Sequence, residues 1–296
     1  MSARLIAKQQ SGVALVVVLW MISMMMMIAA SLLYSTRTEM GMTTLLQQTT
    51  QARAYADAAL RYSITQLQIP ENLRQLQTRG QPFQWQFEEA KIEIRVIGEN
   101  GLIDINTADR TLFLAVLKQL GIVDQEAENL LDLIEDFRDE DDLKRLHGAE
   151  DNDYVDADLP FGAKDAAFER IEELQQVIGI DVNLYKKLAR YLTVNSQSKG
   201  INPMLAPRHI LMVLADNDAE QVDAYMGLRE EAEGRWVQPA FGGNYIDRRQ
   251  KPTYRIQFKV SLADARSSYY EEHAIRLTPE KLPPFIRYFR KMNHTF

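Results

Sequence analysis

A long uncharged stretch near the N-terminus constrains this chain more than any other feature of its sequence. The 22 residues from Val13 to Tyr34 are apolar except for Ser23 and Ser31, and none of them is charged. An α-helix of that length spans roughly 33 Å, which matches the ~30 Å hydrocarbon core of a bilayer. Because the stretch has no polar face, it predicts a membrane-spanning helix or a targeting segment, not a soluble core helix.

The charges beside this stretch predict its orientation. Arg4 and Lys8 precede it, and the flank richer in Lys and Arg stays in the cytoplasm. Arg37 on the other side is a single opposing charge. We therefore expect a single-pass protein with a short cytoplasmic N-terminus and an exported bulk.

A glycine stands at the boundary between the polar N-terminal segment and the apolar stretch. An ordinary signal peptide has an apolar core of ~7–15 residues followed by small residues at a cleavage site, and neither feature fits here. The junction Ser11-Gly12-Val13 resembles the class III signal of type IV prepilins, in which a membrane peptidase cuts directly after the glycine. The resemblance implies a leader over 1–12, processing between Gly12 and Val13, and prepilin peptidase as a partner. An uncleaved signal anchor is the alternative.

One departure from the prepilin pattern points to a narrower family. Most prepilins carry glutamate at the fifth mature position, which is Val17 here. Lack of this glutamate is typical of the type II secretion system protein K family, which the chain resembles and which is thought to sit at the fibre tip. A carboxylate in lipid is costly unless it is paired. A tip subunit has no preceding subunit to pair with this glutamate, so it gains nothing from having it.

Further stretches of the chain resemble the same family. Residues 101–108 and 200–203 look like the openings of its two helical subdomains, although Pro203-Met204-Leu205-Ala206-Pro207 departs from the usual second opening. The blocks 141–154 and 160–164 are also similar. The resemblance therefore extends over nearly the whole chain.

The resemblance implies a structural function. The chain would be a minor pseudopilin, a tip subunit that helps to initiate pseudopilus assembly for export of folded proteins across the outer membrane. It would lie in the inner membrane with its bulk in the periplasm. Its partners would be the I- and J-type minor pseudopilins, the major pseudopilin and the inner-membrane assembly platform. The alternatives are a minor type IV pilin for adhesion or DNA uptake, a tethered enzyme, and an anchored DNA-binding protein.

The remaining pattern predicts an α+β fold with a pilin-like long helix packed on an antiparallel sheet. Apolar residues at three- and four-residue steps extend the first helix over 37–68, unless Gly41 separates it from the anchor. Alternating stretches predict two hairpins. Their strands are 83–87 with 91–97, and 254–260 with 273–277, the second pair joined by a turn over 264–268.

A large helical insertion, SAM-like or helix-hairpin-helix-like, interrupts the sheet. The predicted helices are 108–120 capped by Thr107, 124–137, 168–178, 182–192, one beginning at Asn202-Pro203, and 218–231. The predicted segments are 1–12 (leader), 13–34 (membrane helix), 35–98 (rest of the helix and first hairpin), 99–198 (first insertion domain), 199–235 (second helical segment) and 236–296 (C-terminal strands).

The helix-hairpin-helix pattern raises the question of DNA. The loops after Gly121 and Gly179 each contain an acid, Asp124 and Asp181, where phosphate would be repelled. The whole chain has a formal net charge of −7, whereas DNA-binding surfaces are cationic. We therefore expect an architectural helical module and no nucleic-acid partner.

Acidic residues crowd one segment of the insertion. The stretch 132–158 holds 12 acids against three Lys and Arg residues. A solvated acidic loop is one interpretation, and a site for Ca²⁺, which takes ~6–8 oxygen ligands, is the other. No EF-hand spacing is present. The resemblance to a family that binds calcium in its helical domain favours the metal, and the candidate ligands are Asp139, Asp142, Glu150, Asp151, Asp153 and Asp156.

No catalytic motif stands out in the sequence. There is no cysteine, and His147, His209, His273 and His294 show no paired spacing for a metal. Neither a G-x-S-x-G elbow nor a Walker loop occurs. We therefore expect a protein that is not an enzyme.

Overall fold

The computed structural model describes residues 11–232, 234–263 and 268–294 of the chain. The chain divides into two compact units, Met1–Ala54 and Tyr55–Phe296. The leader charges Arg4 and Lys8 and most of the turn predicted at 264–268 lie outside the described residues.

Helices and strands follow one another in a mixed order. The described helices are α1 Ser11–Leu67, α2 Arg110–Gln119, α3 Asp124–Arg138, α4 Asp151–Asp156, α5 Val182–Leu188, α6 Arg208–Leu214 and α7 Ala219–Glu231. The described strands are β1 Arg79–Phe87, β2 Ala90–Gly98, β3 Ile103–Asp104, β4 Leu192–Thr193, β5 Thr253–Ser261, β6 Tyr269–Leu277 and β7 Phe285–His294. Short 3₁₀ helices cover Glu99–Gly101, Ile171–Gln176 and Gly243–Tyr245.

The long N-terminal helix is confirmed, and it is unbroken at Gly41. A glycine inside a helix costs only about 1 kcal/mol relative to alanine. The helical turns on both sides of Gly41 absorb that cost, so the considered break does not occur. The helix ends at Leu67, three residues before Pro70.

Five strands form one antiparallel sheet in the order β1-β2-β5-β6-β7. Both predicted hairpins are present. The insertion therefore begins after β2 and returns at β5, two strands that are hydrogen-bonded neighbours. Strand β7 was not predicted as a separate strand, and it forms one edge of the sheet beside β6.

One face of the sheet packs on the second part of α1. Ala56, Ala59 and Leu60 on the helix are at most 3% exposed, as are Ile94 and Phe258 on the strands. Burying each large aliphatic or aromatic side chain contributes about 1.5–3 kcal/mol. This packing gives the pilin-like α+β arrangement that the sequence predicts.

Aromatic side chains close the β1 edge of this interface. The ring of Tyr62 on α1 stacks on Trp85 of β1 at 4.6 Å between centroids, and Trp85 stacks on Phe87 at 4.8 Å. These contacts fix the first hairpin against the helix.

The insertion has its own apolar core, and α2 packs against α3 across the hairpin at Gly121. Gly121 has φ +81°, a left-handed conformation that glycine adopts without strain. The Ile122 N–H donates to the Leu117 carbonyl at 2.9 Å, which closes the end of α2. The predicted helix-hairpin-helix-like unit is thus present.

Two helix starts differ from the predictions. Asp109, not Thr107, caps α2, because its carboxylate accepts from the Leu112 N–H at 2.9 Å while the Thr107 hydroxyl donates to the Ser198 carbonyl. The helix predicted from Asn202 begins at Arg208, because the Asn202 side chain instead accepts from the Met204 N–H in a local turn.

Two predicted helices are shorter in the structure. The helix expected over 168–178 is only the 3₁₀ helix Ile171–Gln176, whose apolar residues at three-residue steps suit that tighter geometry. The helix expected over 182–192 ends at Leu188, because Leu192 and Thr193 form β4.

Strands β3 and β4 pair in parallel and bring together the two ends of the first helical part of the insertion, which then continues through α6 and α7 to β5. The buried guanidinium of Arg255 on β5 fastens this junction. It lies 3.5 Å from a Glu99 carboxylate oxygen and donates to the Leu192 carbonyl at 3.1 Å. The side chain of Glu99 is fully buried and also accepts from the Thr193 hydroxyl.

Candidate metal centre

The first part of α1 carries the apolar stretch. Among the described residues, one helix is long and apolar enough to cross a membrane. Its apolar side chains are exposed within their own compact unit, from 46% at Ile22 to 77% at Tyr34. Such a surface fits a single-pass membrane anchor. Gly12 and Val13, the predicted processing residues, lie in its first turn.

The acidic region gathers carboxylates into two groups that share one residue. Asp136, Asp139 and Glu150 form the first group, and Asp142, Glu150 and Asp165 form the second. Within each group, one carboxylate oxygen per residue lies within 4.8 Å of the others. Glu150 therefore stands between the two groups. We call these five residues the acidic cluster.

The ends of two helices position the acidic cluster. Asp136 lies in the last turn of α3, and Asp139 is the residue at its C-terminal cap. Glu150 is the N-cap residue of α4. Asp142 and Asp165 come from the connecting loops. The cluster thus joins a segment of about 30 residues that has little regular structure.

Three carboxylate oxygens in the cluster are buried and lack a hydrogen-bond partner. They are Oδ1 of Asp139, Oε1 of Glu150 and Oδ1 of Asp165. Buried acceptors are normally satisfied, and leaving one unpaired costs about 1–3 kcal/mol or more for a charged group. Clustered carboxylates that keep unpaired oxygens fit a hard cation such as Ca²⁺.

The negative charges of the cluster repel one another. Burial raises the pKa of Glu150 to about 7, helped by the negative charges of Asp136, Asp139, Asp165 and Asp142. Burial and neighbouring carboxylates likewise raise the pKa of Asp165. A bound cation would remove this repulsion and hold both groups ionised.

Arg145 neutralises one side of the cluster. Its guanidinium bonds Asp136 at 2.6 Å and also contacts Asp139, and its N–H donates to Asp136 Oδ2 at 3.0 Å. Burial lowers the pKa of Arg145, but the hydrogen bonds to Asp139 and Asp136 raise it more. Both oxygens of Asp136 are therefore already bonded, whereas Glu150 and Asp165 keep free acceptors.

Other acids of the segment are used elsewhere. Arg110 binds Glu128, Asp132 and Glu135 at 2.5, 2.7 and 2.7 Å. This pairing leaves Asp132 and Glu135 unavailable to a metal. A dense run of acids in a sequence therefore overstates the number that are available to a metal.

Three of the six residues chosen from the sequence, Asp139, Asp142 and Glu150, lie in the acidic cluster. The other three lie outside it. Asp151 accepts from the Ala163 N–H at 3.0 Å, and Asp153 pairs with Lys144 and completes the capping box of α4. Asp156 is exposed in the last turn of that helix.

Two members of the cluster, Asp136 and Asp165, were missed. Asp136 follows Asp132 by one helical turn and precedes Asp139 by three residues. Helical spacing alone therefore places the side chains of Asp136 and Asp139 beside one another. Asp165 follows the block 160–164 and lies beyond the dense acidic run. No local pattern marks it, because the fold of the loop brings it to Glu150.

Comparison with known proteins gives a consistent result. A family model described as "Type II secretion system (T2SS), protein K" matches residues 72–197. The type II secretion system protein K of Aeromonas hydrophila is 26% identical over 299 residues, which cover 90% of this chain and 89% of the relative. The protein of the same name from Pectobacterium carotovorum subsp. carotovorum is 33% identical over 96 residues, 31% of this chain and 29% of the relative.

Two further comparisons extend this result. A protein of Escherichia coli strain K12 that also carries the name type II secretion system protein K is 28% identical to this chain. The match spans 63% of each chain. A chain in the crystal structure of the GspK-GspI-GspJ complex from enterotoxigenic Escherichia coli has the same fold, with a TM-score of 0.62 at 16% identity. That match covers 86% of this chain and 99% of the other.

Proposed function

Since this chain belongs to the type II secretion system protein K family, we propose that it is a minor pseudopilin of a type II secretion system. It serves as a tip subunit that helps to initiate the pseudopilus for export of folded proteins across the outer membrane. Its role is structural and not catalytic. The observation that carries the proposal is the family match over 72–197, in a chain whose first helix begins with an apolar span.

The proposed partners are other minor pseudopilins. A chain of this fold occurs in a solved complex named GspK-GspI-GspJ, which supports I- and J-type subunits as neighbours. The major pseudopilin and the inner-membrane assembly platform would contact the same fibre. The apolar surface of α1 supports this arrangement, because such helices pack against other helices in a membrane.

The proposed location is the inner membrane, with the N-terminus in the cytoplasm and the bulk in the periplasm. Prepilin peptidase would cut between Gly12 and Val13 and leave the helix as the anchor. The exposed apolar side chains of α1 support the anchor. The flanking charges support the orientation.

We also propose that the acidic cluster holds Ca²⁺. Asp139, Glu150 and Asp165 would supply their free oxygens, and Asp142 would complete the second group. The cation would join α3, α4 and the loop at Asp165 into one rigid segment. The support is the set of unpaired buried acceptors together with the raised pKa of Glu150.

Secretion in a bacterium that lacks its own protein K tests the proposed function. The chain should restore export of a secreted enzyme to the medium. A Leu19→Arg variant should fail, because a charge inside the span costs up to about 2.5–3.5 kcal/mol of insertion. The matched Leu19→Ile variant should restore export.

A similar complementation assay distinguishes this function from the alternative, a minor type IV pilin. A chain that restores adhesion or DNA uptake in a strain lacking a minor type IV pilin, and leaves secretion unrestored, would be a type IV pilin subunit. Isolation of the I- and J-type subunits together with the tagged chain from membranes would support the tip complex.

A further inference from the structure

A polar cleft lies beside the sheet face opposite to α1. Two adjoining hollows of about 400 and 410 Å³ share Arg95, Gln257, Glu272 and Lys291 in their walls. Residues of α5 line the second hollow. We call the joined hollows the α5 cleft. It shares no lining residue with the acidic cluster.

A row of polar side chains crosses four strands to form the floor of the cleft. Arg95 stands opposite Gln257, Gln257 opposite Glu272, and Glu272 opposite Lys291. Residues directly opposite on neighbouring strands point to the same face of a sheet. The amide of Gln257 donates to Glu272 at 2.6 Å, which fixes the centre of the row.

The α5 side of the cleft is held in place by specific contacts. The Lys291 ammonium donates to Glu172 at 3.1 Å and to the Tyr185 hydroxyl at 3.3 Å. His209 bonds the Arg190 carbonyl at 2.9 Å. The floor and the wall are therefore tied together, and the cleft exists before any ligand enters.

The lining is cationic although the chain as a whole is acidic. Six Lys and Arg residues contribute to it: Arg95, Lys186, Arg190, Arg255, Lys259 and Lys291. The acids in the lining are Glu93, Glu172, Glu271 and Glu272. The carboxylate of Glu271 is fully buried and bonded to Arg290, and the guanidinium of Arg255 is buried beside Glu99, so neither adds to the accessible charge. Five cations then face three carboxylates in the cleft. The charge of the cleft is thus opposite in sign to the net charge of the chain, −7.

Three of these cations lack an acidic partner among the described residues. No carboxylate there lies within 4.0 Å of the side-chain nitrogens of Lys186, Arg190 or Lys259. Lys259 lines only the first hollow, whereas Lys186 and Arg190 line only the second. The cations without an ion pair therefore stand in separate hollows, with Lys259 opposite Glu93 on the neighbouring strand.

We propose that the α5 cleft is a docking site for an acidic, extended peptide segment of a partner protein. Four strands at ~4.8 Å spacing give a row of roughly 14 Å, which matches about four residues of extended chain at ~3.3 Å each. A small anion would neutralise one hollow only. A peptide with several carboxylates reaches Lys259 and the Lys186–Arg190 pair together.

A binding measurement on the full chain in detergent micelles tests the proposal. The probe is a fluorescein-labelled eight-residue peptide of alternating glutamate and serine, followed by anisotropy. The comparison peptide replaces glutamate with glutamine. The glutamate peptide should bind at least tenfold more tightly, and its affinity should fall as salt screens the charges.

Matched variants locate the binding. The double variant K186E/K259E reverses one charge in each hollow and should weaken binding at least tenfold. The control K187E/K281E reverses two exposed charges outside the lining, one of them next to Lys186 on α5, and should change binding less than twofold. Circular dichroism and melting temperature check that both variants are folded.

Three results would overturn the proposal. Equal loss in the control would show diffuse attraction, and equal binding of the glutamine peptide would remove the acidic preference. If K186E/K259E dissociated a self-associated form in sedimentation and left peptide binding unchanged, the cleft would be the binding site of a second copy of this chain. None of these outcomes depends on the role in secretion, because the assay contains no other subunit.

Discussion

At the scale of single residues, the acidic region depends on close contacts that leave no space for an added atom. A Cβ at Gly148 would stand 1.7 Å from the Asp136 carboxylate, and one at Gly162 would stand 1.8 Å from Asp151. Both carboxylates accept backbone N–H bonds, so neither is free to move. These glycines let the loop approach its acids.

The first prediction concerns Gly148. Replacing it with alanine should destabilise the protein by about 1–3 kcal/mol, because the methyl group overpacks the site of Asp136. Chemical denaturation in micelles measures the change. Gly227→Ala is the control, because nothing lies within 4 Å of the added methyl group in α7. Alanine there should stabilise by about 0.5–1 kcal/mol. Equal effects of the two changes would contradict the steric argument.

The buried carboxylate of Glu271 gives a prediction about acid. Burial raises the pKa of Glu271, but bonds from His273, Arg290 and Tyr269 lower it more, to about 2. Because the folded-state pKa lies below the ordinary 4.5, ionised Glu271 stabilises the fold above pH 4.5. This contribution is lost as pH falls from 4.5 towards 2.

Glu271→Gln should therefore cost about 1.5–3 kcal/mol at neutral pH and progressively less below pH 4.5. Urea unfolding at pH 7, 4.5 and 3 measures the difference. Glu280→Gln, at an exposed position, should show no such trend. A cost for Glu271→Gln that stays constant down to pH 3 would show that the charge is not the stabilising feature.

At the scale of elements, the segment from the end of α3 to Asp165 depends on whether its charges are compensated. Arg110 and Arg145 pair with some of its carboxylates, whereas one oxygen each of Asp139, Glu150 and Asp165 has no hydrogen-bond partner. Such a segment should be ordered by a cation and loosened by its removal.

The calcium prediction follows from this arrangement. Millimolar Ca²⁺ should raise the melting temperature of the full chain, and chelation should lower it. Binding to the folded state alone contributes about 2.7 kcal/mol at one hundred times Kd. Magnesium should substitute poorly, because it demands a smaller octahedral shell.

Two variants separate the acidic cluster from the acidic run. Glu150→Gln should abolish most of the calcium response and leave the chelated protein at least as stable, because repulsion is relieved. Asp156→Asn removes an exposed acid outside the cluster and should leave the response intact. A loss in Asp156→Asn, or no calcium response in the parent chain, would contradict the proposed site.

Helix α1 carries the processing prediction. Mass spectrometry of protein from membranes should find Val13 as the first residue. Loss of Arg4 and Lys8 would take the formal net charge from −7 to −9. Gly12→Leu should leave the precursor uncut. Gly41→Leu, an exposed position in the same helix, should be processed normally. An intact N-terminus in the parent chain would indicate an uncleaved signal anchor.

Elements with a strong internal pattern could be predicted from the sequence, and those set by distant contacts could not. The alternation of β2 and β5 marked the centre of the sheet because one face of each strand is buried. Strand β7 forms the free edge, exposes Ile286 and Tyr288, and follows no clean alternation. The acidic cluster shows the same limit, since the fold alone brings Asp165 to Glu150.

At the scale of the whole molecule, opposite charges occupy separate places. The acidic cluster lies in the insertion, and the α5 cleft gathers six cations in a chain with a net charge of −7. A cationic cleft of this size matches a few carboxylates, whereas a duplex presents one phosphate charge per ~1.7 Å along its axis.

The last prediction follows from that distribution. The full chain should not bind a 20-base-pair duplex at physiological salt, because the acids beside the two hairpins repel phosphate. Anisotropy of a labelled duplex measures binding. Salt-sensitive affinity tighter than the ~10⁻⁴–10⁻⁶ M range of non-specific binding would return the helix-hairpin-helix unit to a role in DNA recognition.

The parallel pair β3–β4 closes the first helical part of the insertion into a loop. Ile103 and Leu192 lie side by side, so the two ends of the chain between them meet at one point. Doubling the length of a closed loop costs only about 0.6 kcal/mol. Residues added between Ile103 and Leu192 should therefore cost little stability and leave the register of β2 and β5 unchanged.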